Sequence, residues 1–127
     1  MFEKLELTRM AQSLAAHSGA RMAVIAQNVA NADTPGYKAK DLPGFAKVFA
    51  DAGGNMRATR AGHLTAASAA MMPAVEIANG REAPNGNSVS LEGEMVKSVE
   101  ARQGHDMALA IYRATSDVIR ASLGRNR

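Results

Sequence analysis

From Leu5 to about Ala32 the chain holds no proline and one glycine, Gly19, and its apolar residues return at helical spacing: Leu7, Met10, Leu14, then Val24 and Ile25. His17, Arg21, Asn28 and Asn31 fall in the same seven-residue register. The pattern predicts an amphipathic helix of about 40 Å at ~1.5 Å per residue. Glu3 and Glu6 lie near its start, where acids suit the helix dipole. The polar members of the register weaken the stripe toward the C-terminal end and speak against a simple two-stranded zipper, which would have to bury each of them. The helix is expected to stop before Thr34-Pro35-Gly36-Tyr37. Proline restricts the residue before it to extended geometry, and Pro-Gly at the two central positions favours a type II turn.

A second helix is predicted from Ser90 to about Leu123. Ser90 is a plausible N-cap, and Glu92 and Glu94 sit in the first turn. One stripe runs through Leu91, Met95, Val99, Arg102, Leu109, Tyr112, Ser116, Ile119 and Leu123, and another through Val96, Met107, Ile111, Ala114, Val118 and Ala121. Gly104 reads as a soft spot costing about 1 kcal/mol relative to alanine. Between the helices, residues 38–87 hold Pro43, Pro73, Pro84 and six glycines and show no sustained alternation. Loops are expected there, with a short helix around Leu42–Phe49 and a small hairpin.

Two long terminal helices around an irregular middle define an all-α fold in which the helices pair as an antiparallel hairpin or coiled coil. Residues 1–37 and 88–127 would form a helical packing domain, with 38–87 inserted between them. The two stripes of the second helix cover more surface than one partner helix can bury, which is a reason to expect neighbouring subunits. The residues expected to make that packing are Leu7, Met10, Leu14, Val24, Ile25, Met95, Val99, Leu109, Tyr112, Ile119 and Leu123.

Composition supports thin helices over a thick core: 127 residues suit one domain, and only five of them are aromatic. Eight methionines suit irregular gaps and adaptable contact surfaces. The net charge of +3 is mild, and few aromatics accompany the basic middle, so no nucleic-acid partner is expected. Cysteine is absent, which excludes disulfides and thiolate metal sites. His17, His63 and His105 lie far apart and lack metal-ligand spacing, and no nucleophile, phosphate or dinucleotide motif occurs. No enzyme activity, cofactor or metal is expected. No apolar run suits a signal peptide or a membrane span.

The segment Asn28 to Asp41, NVANADTPGYKAKD, resembles the signature of the bacterial flagellar axial proteins, the rod and hook subunits. Their Asn-x-x-Asn-x-x-Thr-Pro/Thr-Gly-Tyr pattern is matched by Asn28, Asn31, Thr34, Pro35, Gly36 and Tyr37. Arg57-Ala58-Thr59 with His63-Leu64, and the run Asn85 to Met95, resemble stretches of the proximal-rod members. The resemblance implies a subunit of the proximal rod, the drive shaft leaving the MS ring, with export by the flagellar type III apparatus without a cleaved signal and a final place in the periplasmic rod. The partners it implies are copies of the chain, other rod proteins (FlgC, FliE and FlgF-type subunits), the MS ring and the export apparatus. Phe45-Ala46-Lys47-Val48-Phe49 resembles the short element by which such subunits engage the export gate, through Phe45 and Phe49, with a local helix face as the plainer reading. Another axial protein such as FlgC, a coiled-coil adaptor and a small nucleic-acid-binding module are the alternatives.

Overall fold

The computed structural model describes residues 2–53, 74–78 and 80–124. Three helices, α1 (Phe2–Ala30), α2 (Phe45–Gly53) and α3 (Leu91–Ser122), are joined by segments carrying two short strands, β1 (Lys40–Asp41) and β2 (Glu76–Ile77). The strands pair antiparallel, Lys40 with Ile77 and Asp41 with Glu76. The fold is the mostly helical hairpin expected, with an irregular middle. The stretches Arg57–Thr59, His63-Leu64 and Leu64–Met72 lie outside the described residues.

α3 begins where Ser90, in extended geometry at φ −107° and ψ 113°, accepts the Gly93 N–H on its hydroxyl at 3.3 Å. It ends where the Leu123 N–H closes on Ile119 O at 3.0 Å and Gly124 turns left-handed at φ +67°. α2 starts three residues later than its apolar pattern suggests. Pro43 keeps Leu42 extended, the Leu42 N–H is held by the Asp41 carboxylate at 2.8 Å, and Gly44 O accepts the first helical N–H groups, from Lys47 and Val48.

α1 and α3 run antiparallel: Asn28 meets Glu94, Arg21 meets Glu100, and Gly104 lies against Ser18. The residues α3 buries are Glu94, Ala101, Ala108 and Thr115, one every seventh position. Facing them on α1, Ala11, Ser18 and Ile25 are buried at the same interval. This is a heptad seam, and small side chains dominate it, so the helices approach closely. Gly104 therefore has a different role from the weak point its propensity suggests. A Cβ there would stand 2.9 Å from Ser18 Oγ, inside contact distance.

The large apolar residues are distributed differently from the seam. Val24 and Ile25, grouped above with residues awaiting a neighbour, are instead buried within the chain. Met10, Leu14 and Ile119 are half-buried. Leu7, Met95, Val99, Leu109, Tyr112 and Leu123 are exposed, Met95 at 70% and Leu123 at 69%. The middle segment folds back on α1, where β1 and α2 both make contact and Ala39 and Leu42 are buried.

Gly104→Ala should lose stability on its own, because the new methyl forces the Ser18 hydroxyl aside. In a Ser18→Ala background the nearest seam atom lies where Ser18 Cβ now is, 4.0 Å away. There the same substitution should gain up to about 1 kcal/mol of helix propensity. Urea midpoints of the four chains of this double-mutant cycle check the sign reversal.

Candidate functional site: a polar joint at the closed end of the hairpin

Beyond Ala30 the chain leaves α1 through successive turns. The Asn31 N–H donates to Asn28 O (3.0 Å), the Thr34 N–H to Asn31 O (3.1 Å) and the Tyr37 N–H to Thr34 O (3.3 Å). Gly36 stands at φ +72°, the left-handed conformation that the third residue of a type II turn requires and that glycine adopts without steric cost. A second left-handed glycine, Gly86 at φ +79°, packs against it, and a Cβ on Gly86 would lie 3.5 Å from Gly36 Cα. The Gly36 N–H donates to Asn85 O at 3.0 Å, locking the two turns together.

Asn87 then closes the end of α1. Its buried amide donates to the carbonyls of Asn31, Ala32 and Thr34 at 2.9, 2.8 and 2.9 Å, while its Oδ1 accepts the Val89 N–H at 2.7 Å. These carbonyls belong to the turns that follow α1, and a side chain 56 residues further along gathers them. Ser88 adds the next tie: its hydroxyl accepts the Ala39 N–H at 2.8 Å and its own N–H donates to Tyr37 O at 3.0 Å.

Asn28 is the centre of the joint and is 0% exposed. Its Nδ2 donates to Lys40 O at 2.7 Å and to Glu94 Oε2 at 3.0 Å, and its Oδ1 accepts from the Lys40 N–H at 3.0 Å and the Tyr37 hydroxyl at 3.4 Å. All four positions of the amide are filled. It pairs with the Lys40 backbone as a strand would and reaches α3 with its remaining hydrogen. The Asn28 side chain therefore has no free position for a hydrogen bond to another subunit. Asn31 is also used locally, donating to Gln27 O at 2.8 Å and accepting from the Thr34 hydroxyl at 3.3 Å.

Charges brace the joint. Asp41 receives Arg21 of α1 at 3.2 Å and Lys97 of α3 at 3.1 Å, Lys97 also holds Glu94 at 3.0 Å, and Arg21 reaches Glu100 at 3.4 Å. Glu94 is 2% exposed and tolerates burial because Asn28 and Lys97 both donate to it. Burial alone would raise the pKa of Asp41, but hydrogen bonds from Arg21, the Leu42 N–H and Lys97 outweigh it and hold the carboxyl below its ordinary value. Burial would likewise lower the pKa of Lys97, and the carboxylates of Glu94 and Asp41 outweigh it and raise it.

Away from the joint, His17 is buried with its Nε2 2.8 Å from Pro43 O, so that nitrogen carries the proton. Its ring meets Phe45 edge-on at 5.7 Å, and Phe45 in turn lies 5.5 Å from Phe49. Of the residues singled out in the sequence, Asn28, Asn31, Thr34, Gly36 and Tyr37 converge in the joint and Pro35 shapes its turn, while Phe45 and Phe49 form a separate patch on α2. Asn87 and Ser88 stood out only as part of the run Asn85 to Met95, Glu94 only as an acid in the first turn of α3, and nothing in the sequence singled out the Asp41–Lys97 pair. The seven-residue spacing of Glu94 with Ala101 and Ala108 is the signal that could have placed Glu94 inward. Among the described residues no group of three or more histidines and acids could hold a metal ion. The polar side chains of the joint bond to one another and to the backbone, so the arrangement fixes segments together.

Residues 10–38 match the family model described as "Flagella basal body rod protein". The matched stretch runs through α1 and the Thr34–Tyr37 turn and takes in the α1 side of the joint, Asn28 included. It covers less than a quarter of the chain, so the likeness to the flagellar basal-body rod proteins is shown over α1 and its closing turn. No curated protein matches the chain at a significant level.

Two outcomes test the joint. Asn28→Ala strands the Lys40 backbone groups and Glu94 Oε2, leaving Glu94 to Lys97 alone, and should cost about 3 kcal/mol or more, since each buried polar group left unpaired costs about 1–3 kcal/mol. Asn28→Asp should fare no better despite its matching shape, because it loses both donors and sets a second carboxylate beside Glu94. Urea unfolding followed by circular dichroism reads both. For pH, the lowered pKa of Asp41 means its stabilisation is complete above about pH 5 and is lost as pH falls through the folded-state value. The raised pKa of Lys97 means its contribution is complete below about pH 9 and is lost as pH climbs through its folded-state value. Asp41→Asn should flatten the acid side of a plot of unfolding midpoint against pH.

Proposed function

We propose that this chain is a structural subunit of the flagellar rod, and within it a proximal-rod subunit of the FlgB type. In that position it is part of the drive shaft that carries torque from the MS ring toward the distal rod and hook. The observation that carries the reading is the division of labour on α3. Its seam with α1 is built of alanine, glycine and threonine, while Met95, Val96, Val99, Met107, Leu109, Tyr112, Val118 and Leu123 remain exposed. Exposed apolar surface of that extent marks a contact surface. The family match on α1 supports a rod assembly as what covers it.

The mechanism is mechanical. Residues 1–37 with 88–127 form the axial packing unit and 38–87 the insert. Copies of the chain and other rod proteins (FlgC, FliE and FlgF-type subunits) cover the outer face of α3, and torque passes through interlocked side chains. The joint keeps α1, α3 and the insert in one orientation as that load is transmitted. Among the described residues no helix is long and apolar enough to cross a membrane. The chain reaches the periplasmic rod through the type III export apparatus without a cleaved signal, and Phe45 with Phe49 serves as the export-gate element in the unfolded chain.

Sedimentation velocity of the full chain over a range of concentrations should show association. Val99→Asp with Met107→Asp should abolish it while leaving the helical circular dichroism signal intact, because both side chains lie outside the seam. In cells the same double variant should leave basal bodies without a rod. A wild-type chain that stays monomeric at every concentration and melts in one sharp step would overturn the reading.

A further inference from the structure

Asn-Gly is the residue pair most prone to spontaneous deamidation, because glycine leaves the backbone nitrogen after the asparagine unhindered; it occurs here at Asn79-Gly80 and at Asn85-Gly86, and cleavage after Arg81 places the two in separate peptides. In that reaction the Gly86 nitrogen, having lost its proton to solvent base, attacks Asn85 Cγ. The Cγ–N bond to the side-chain amide breaks, ammonia leaves and a succinimide forms. Water then opens the ring to aspartate or to isoaspartate, and the latter adds a methylene to the main chain. No oxidant or reductant is needed.

In the folded chain the reacting atoms are tied down. The Gly86 N–H donates to Ala83 O at 2.8 Å, and the carbonyl of the same peptide, Asn85 O, accepts the Gly36 N–H at 3.0 Å. Asn85 Oδ1 accepts the Asn87 N–H at 3.0 Å. The third of these bonds draws electrons from the side-chain carbonyl and by itself favours attack. The first two decide the outcome, because the nitrogen must shed its hydrogen and the 85–86 peptide must rotate toward Cγ, which breaks both of its hydrogen bonds. Asn85 is exposed, so solvent reaches it and hydrogen bonding, in place of burial, supplies the protection.

We propose that Asn85 is a latent deamidation site that is held intact only while the Thr34–Tyr37 turn is docked, and that isoaspartate at this position unseats that turn. The Asn85 carbonyl and the Asn87 amide next to it are the groups that hold the turn and the end of α1. In isoaspartate the carbonyl that accepts the Gly36 N–H becomes a free carboxylate and the main chain runs instead through Cβ and Cγ, which moves the one group relative to the other. Plain aspartate at position 85 keeps the main chain and still accepts from the Asn87 N–H, so it is the tolerated product.

The test is incubation of the full chain at mildly alkaline pH, with peptide mass mapping for the mass increase at Asn85 and enzymatic methylation to count isoaspartate. In native buffer Asn85 should react about tenfold or more slowly than in concentrated urea, since two hydrogen bonds must open before attack. Gly36→Ala, which strains a left-handed position, should bring the native rate up toward the urea rate while the α1 and α3 circular dichroism signal persists. Asn85→Asp should keep the wild-type unfolding midpoint, and isolated isoaspartate-85 chains should fall below it. Equal native and urea rates for Asn85, or isoaspartate chains as stable as the wild type, would overturn the proposal.

Discussion

The structure depends on one buried amide. Asn28 sits where α1, α3 and β1 meet, and each atom of its side chain that can form a hydrogen bond does so. An apolar residue in that place would bury more greasy surface yet leave the Lys40 backbone and one oxygen of Glu94 without partners, which is the costlier error. The amide also imposes register. Sliding α3 by one turn would carry Glu94 away from Asn28 and Lys97 away from Asp41, so the pairing of the long helices is set by polar chemistry at one end and only permitted by the small seam along the rest.

That division explains how a hairpin with so few aromatics is organised. Ala11, Ser18, Ala101, Gly104 and Ala108 bring the helices close but bury little area, so the seam alone contributes modestly. Asn87 and the Asp41–Lys97–Arg21 bridges add hydrogen bonds and charge pairing at the closed end. The larger apolar side chains of α3 are left for contacts outside the chain.

Much of this was legible in the sequence. The two long helices, the Ser90 cap, the type II turn at Pro35-Gly36 and the excess of apolar surface on the last helix all follow from local rules, and each is present. The seam was harder to see. Hydrophobic periodicity weights large side chains, whereas α1 and α3 meet through alanine, serine and glycine, which carry little hydrophobic signal. Gly104 looked like a weakness because propensity knows nothing of Ser18 across the seam. The joint was half visible. Asn28 and the Thr34–Tyr37 turn stood out as a pattern, but their partners at Asn87 and Glu94 lie more than fifty residues away, and no spacing rule connects them. Asp41 and Lys97 gave no local signal of any kind, since an acid in a loop and a lysine on a helix are ordinary surface residues until the fold brings them together.

A hairpin secured at one end behaves as a pair of tongs. The polar fastening lies at the Asn28–Glu94 end, while further out the arms meet through Ala11, Ala108 and Thr115, with Met10, Leu14 and Ile119 half-buried beside them. Hydrogen bonds have direction and apolar contacts do not, so the pivot sets the bearing of the arms and their grip can vary without changing it.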